Sequence, residues 1–89
     1  MPTNTYTPGA VTTVGDLEVG DTIFLRERRN ETGLPTPIAA AVVTELEPTS
    51  DGRIDVTVHA AASTPATARS LGALPATREF RLAIVTPVE

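Results

Sequence analysis

The chain has 89 residues, seven of them basic and eleven acidic, with a formal net charge of -4 and a pI of about 4.8. This length holds one domain and no second core, and the acidic balance argues against generic binding to DNA, RNA or anionic membranes, which rests on Lys and Arg neutralising phosphate. Cysteine is absent, which excludes disulfides, thiol catalysis and Cys-based metal sites.

No basic segment followed by an apolar run opens the chain, and no apolar stretch approaches the roughly 20 residues that span a bilayer, so a soluble, cytoplasmic protein is expected. Residues 1–9 are rich in Thr and Pro and read as an extended N-terminal arm ahead of a small β domain over 10–89. Val11 to Val14 is a short first strand. In the stretch from Asp16 to Leu25, Gly20 and Asp21 sit where the chain reverses, because Gly accepts backbone angles other residues resist and Asp bonds nearby amides. Leu17 and Val19 are placed to plug one end of a barrel.

A second strand runs from Asp21 to about Arg28, with Ile23 and Leu25 inward and Thr22, Phe24 and Arg26 outward. Phe24 is then a large apolar group on the wet face. The loop expected over 30–37 contains Gly33, Pro35 and Pro37. The third strand, Ile38 to Leu46, places Ile38, Ala40, Val42, Thr44 and Leu46 on one face.

Pro48 to Gly52 has the residues of a hairpin loop, and Ile54, Val56 and Val58 alternate with Asp55, Thr57 and His59 in a fourth strand. Thr64 as N-cap, Pro65 at the first position and Gly72 past the end allow a short helical turn in the 64–72 connector, against the alternative of an irregular loop. The last strand, Arg78 to Val85, turns Phe80, Leu82 and Ile84 inward and ends at Pro87.

This order of pieces is similar to SH3-like barrels, so the expected fold is all-β: a small SH3-like β-barrel of five to six strands, rich in Thr, Val and Ile. The DLxVGDxI motif over 16–23, the Asp51-Gly52 hairpin and the closing segment from Arg81 to Glu89 also resemble short proteins of unknown function from actinobacteriophages and their hosts. An exclusively Arg basic set with abundant Ala, Thr and Val fits the codon usage of GC-rich actinobacterial genomes. The resemblance implies a phage accessory protein or a small host module, working in the host cytoplasm if phage-encoded. It brings no active residues with it.

Candidate chemistry is sparse. His59 is the single histidine, and no motif supplies the nucleophile or oxyanion donors that a general base needs, so it reads as an ordinary surface or rim residue. Asp16, Glu18 and Asp21 lack the regular spacing of a calcium loop and read as turn caps; Glu45, Glu47, Asp51 and Asp55 read as a charged hairpin tip that keeps an edge from pairing. Ser63 and Ser70 belong to no GxSxG or SxxK pattern, and neither phosphate-binding glycine motif occurs. No catalytic, metal or cofactor residues are assigned.

The one basic concentration is Arg26, Arg28 and Arg29. Arg26 and Arg28 share a strand face with Phe24, an arrangement suited to an acidic peptide or to stacking on a base. With one other Phe, one Tyr and no Trp there is no aromatic platform, so nucleic acid is disfavoured. The expected function is a non-enzymatic protein-interaction module, with Phe24, Arg26, Arg28 and Arg29 as candidate partner-binding residues. Its expected partners are a host or virion protein and, through an exposed edge strand, a second copy in a homodimer. Two alternatives are a structural virion component, either capsid-decorating or a connector, anchored by the N-terminal arm, and a nucleic-acid regulator using the Arg strand.

Overall fold

The computed structural model describes residues 3–29, 31–33, 35–61 and 65–88. Six strands, β1 (Thr3–Thr13), β2 (Thr22–Arg29), β3 (Pro35–Pro48), β4 (Arg53–Ala60), β5 (Arg69–Pro75) and β6 (Glu79–Val88), form one antiparallel sheet in the order β1-β6-β2-β3-β4-β5. The all-β expectation holds, with a barrel-like outline. Among the described residues β1 and β5 do not pair, so the sheet is open, and its two outer strands remain edges.

The core lies on one face of this sheet. Ile23, Ala41, Val43, Val56, Val58 and Phe80 are buried there, and Leu25, Leu46, Ile54, Leu71, Leu74 and Leu82 pack around them. Val14 and Leu17, carried on a single 3-10 turn at Val14–Asp16, complete the cluster. This turn is tied down by backbone bonds: the Val14 and Gly15 amides donate to the carbonyls of Arg78 and Ala76, while Gly20 and Asp21 exchange bonds with Val43. Leu17 plugs the core as its position suggests. Val19 does not; it is 63% exposed. It follows the residue whose amide donates to Asp21 Oδ2, one step before Gly20 turns the backbone at φ 99°.

Three strand assignments depart from the alternation read along the sequence. In β3 the buried residues are Ala41 and Val43, not Ala40 and Val42, because the register to β4 shifts between Val43 and Glu45. Thr44 is the extra residue of a β-bulge, its hydroxyl donating to the Thr57 carbonyl, and the bulge returns Leu46 to the core side. The second departure is the 64–72 connector: helical turn survives only at Pro65–Thr67, residues 62–64, including Thr64, lie outside the described residues, and 69–75 is strand β5. Leu71 and Leu74 are spaced as on a helix, but a register shift opposite Asp55 and Thr57, with Gly72 at φ 88°, puts both on the core face of a bulged strand.

The third departure concerns the ends. Residues 3–8 of the expected arm are part of β1 and pair in register with residues 83–88 of β6, which runs through Pro87. Ile84, expected inward, is 55% exposed, since the core stops at Leu82. The loop expected over 30–37 is likewise shorter: a turn occupies 31–33, Asn30 and Leu34 lie outside the described residues, and β3 begins at Pro35.

Truncating a core residue of this sheet leaves a cavity, whereas truncating an exposed turn residue does not. Ile23→Ala is expected to cost about 2 to 5 kcal/mol of unfolding free energy, and Val19→Ala less than about 0.5 kcal/mol. Urea denaturation of both variants checks this, and equal losses would contradict the placement of the core.

Candidate functional site: an arginine groove between β2 and β6

β2 meets β6 at only two residue pairs, Ile23 with Leu82 and Phe24 with Arg81. The first pair faces the core. The second faces away from it, and the row continues to Val11, opposite Arg81, and to Ala40, opposite Phe24. Where β2 and β6 part beyond the pair of Phe24 with Arg81 lies a groove of about 310 Å³, lined by Val11, Phe24, Arg26, Glu79 and Arg81 together with Arg78 and the core-side Leu25 and Phe80. Three arginines against one glutamate make it locally basic on an acidic chain.

Phe24 has a different role from the one its strand position suggests. It is 7% exposed, so its ring forms part of the groove floor and offers no open face for stacking. Arg26 is exposed at the groove and, among the described residues, makes no ion pair. Arg28 is exposed on the same strand face but pairs with Thr36 farther along the β2–β3 hairpin, beyond the groove lining. The backbone of Arg29 pairs with Pro35; its side chain is outside the described residues.

Arg78 and Arg81 belong to the site and were not singled out from the sequence. Each is anchored. The Arg78 guanidinium carbon lies 5.2 Å from the centroid of the Phe80 ring, a cation–π distance. Arg81 Nη1 donates to the Gly9 carbonyl at 3.1 Å, holding the irregularity where β1 shifts register between Pro8 and Val11. The signal available in the sequence was the pair of arginines flanking Phe80, but its meaning depends on β6 lying beside β2, a contact between distant segments.

The other polar residues serve the fold. His59 is 9% exposed, a buried residue and not the surface or rim residue expected; its Nδ1 donates to the Ala60 carbonyl at 2.8 Å, which sets the tautomer, and it lines neither described hollow. Asp21 accepts from the Glu18 amide as a turn cap, whereas Asp16 accepts from the Thr13 hydroxyl and caps no backbone group. Asp55 accepts from Ser70, whose oxygen in turn accepts from the Gly72 amide and so braces the bulge in β5. Among the described residues no three His, Asp or Glu side chains are grouped to hold a metal ion, and no helix is long and apolar enough to cross a membrane.

A second hollow of about 340 Å³ lies among Leu25, Ala39, Ala40, Ala41, Val58, Ala60, Thr67 and Arg69. Ala39 there has φ 60°, a left-handed conformation that costs a non-glycine residue about 1 to 2 kcal/mol. Half of its lining residues are alanine, and Arg69 is its one charged group.

At the β3–β4 hairpin the Thr49 hydroxyl donates to Asp51, which holds that carboxyl below its ordinary range; the Arg53 amide and guanidinium act in the same direction, against an opposing desolvation. Because the folded value is depressed, the hairpin's share of stability from Asp51 is present above the ordinary carboxylate range and is lost as pH falls through the lowered value. Thr49→Val is expected to move the Asp51 titration upward in an NMR pH series, and an unmoved titration would remove Thr49 as the cause. The chain matches no family model, no curated protein and no solved structure.

Proposed function

We propose that this chain is a non-enzymatic interaction module that receives an acidic segment of a partner protein in the groove over Phe24. The observation that carries this is the gathering of Arg26, Arg78 and Arg81 around an apolar floor, in a chain whose net charge has the opposite sign. A guanidinium presents a planar fork of donors that matches a carboxylate with two parallel bonds, and Arg78 and Arg81 are already held in place, so less side-chain freedom is lost on binding. The groove's size, at the small end of the range of ligand pockets, accommodates one or two side chains of an extended segment.

Polyanions as a class fit less well. A nucleic acid tracks a long basic surface and stacks on exposed aromatic rings, while here the basic patch is short and Phe24 is covered. The assignment of the partner as a host or virion protein, and of this chain as a phage accessory protein, rests on the resemblance of the DLxVGDxI segment.

A fluorescently labelled peptide carrying consecutive Glu residues is expected to bind the full chain, with affinity falling as salt rises, and its Gln counterpart is expected not to bind. Arg26→Glu should weaken binding by at least about tenfold, the loss of roughly one charge-assisted contact. Equal affinity for the Glu and Gln peptides, or an undiminished Arg26→Glu variant, would overturn the assignment.

A further inference from the structure

Beyond the last β2 contact, residues 3–8 of β1 and 83–88 of β6 form a two-stranded ribbon. Its paired segments, Thr-Asn-Thr-Tyr-Thr-Pro and Ala-Ile-Val-Thr-Pro-Val, contain no charged residue, although eighteen Asp, Glu and Arg side chains occur elsewhere in the chain. Ile84 is exposed on one face of the ribbon and Val85, at 42%, on the other. A two-stranded ribbon is marginal in water and gains stability from a third strand, and exposed edges ordinarily carry charge against unwanted pairing. Here the protection is limited to proline.

Pro8 shows which groups are available. It stands opposite Ala83 yet cannot donate to it, so the donor side of position 8 faces the open edge, and by alternation Asn4 and Tyr6 also turn their N–H and C=O groups outward while Thr5 and Thr7 bond to β6. For an antiparallel partner with the same sequence, aligning Tyr6 with its counterpart would set Asn4 against Pro8 and lose a donor. Aligning Thr5 with its counterpart keeps the same four bonds in two complete Asn4–Tyr6 pairs and sets Pro8 against position 2, also a proline, so the bonded stretch ends at facing prolines and no Asn4 carbonyl meets one, with the Thr5 side chains adjacent across the axis.

We propose that a second copy of this chain docks antiparallel on the open edge of β1, with Thr5 on the two-fold axis, so that two ribbons become one four-stranded sheet. A strand without charge is self-complementary under a two-fold, and the contact brings no like charges of the two acidic bodies together. A foreign strand would need pockets for its side chains to be selected, and a two-stranded ribbon has none. The interface is separate from the arginine groove, so Arg26→Glu is expected to leave it intact.

Sedimentation velocity of the full chain from about 1 µM to about 1 mM should show a monomer–dimer equilibrium. Thr5 is exposed, so Thr5→Lys and Thr5→Glu should fold, confirmed by circular dichroism, and each should weaken the dimer by at least about tenfold through like charges facing across the axis. An equal mixture of the two should restore the dimer, because Lys then faces Glu. Without any substitution, hydrogen exchange at the Asn4 and Tyr6 amides should slow as concentration rises, and by more than at Thr5, whose amide already bonds to β6. A wild-type monomer at every concentration would overturn the proposal, as would variants that dimerise like wild type, a mixture no better than its components, species larger than a dimer, or exchange at Asn4 and Tyr6 that ignores concentration.

Discussion

An antiparallel strand assigns its side chains to faces by counting, and one inserted residue reverses the count. This chain carries three such insertions: in β1 between Pro8 and Val11, at Thr44 in β3, and in β5 around Gly72. Each is held by a specific bond, from Arg81 to the Gly9 carbonyl, from the Thr44 hydroxyl to Thr57, and from the Gly72 amide to Ser70. The core and the groove both follow from where these insertions fall. Without the bulge at Thr44, Val43 and Leu46 could not face the same side, and without the shift in β1, Val11 would not stand in the row with Arg81 and Phe24.

The open sheet makes the same economy visible in another way. A closed barrel buries its interior from every direction, but here one sheet curls over a core that the Val14–Asp16 turn and Leu17 cover from below. The backbone bonds from Val14 and Gly15 to the β5–β6 turn, and between the Gly20–Asp21 turn and Val43, hold that cover against the sheet. Both outer strands remain edges. The β5 edge is interrupted by a bulge and ends in Pro75, whereas the outer half of β1 stays straight and uncharged up to Pro8.

Charge is distributed with similar economy. The acidic side chains described in detail cap or brace turns, the hairpin and the β5 bulge, and their carboxylates are spent on nearby amides and hydroxyls. Three of the seven arginines, Arg26, Arg78 and Arg81, gather beside the β2–β6 contact around an apolar floor. Its Arg81 has two roles, since the residue lines the groove and its guanidinium fastens the β1 bulge.

Local chemistry alone determined a good part of this protein. The Gly20 turn, the Asp51-Gly52 hairpin, the β4 alternation of Ile54, Val56 and Val58, and the inward Ile23 all follow from residues within a few positions of one another. Propensity and short-range hydrogen bonds act over that distance, so a sequence displays them. Tertiary structure alone decided the facing of Ala41 and Val43, the strand over 69–75, the burial of Phe24 and His59, and the entry of Arg78 and Arg81 into the site. Each of these depends on which strand lies alongside, and the pairing of residues as far apart as Phe24 and Arg81 leaves no periodic trace in either segment, because the register between strands is a property of the assembled sheet.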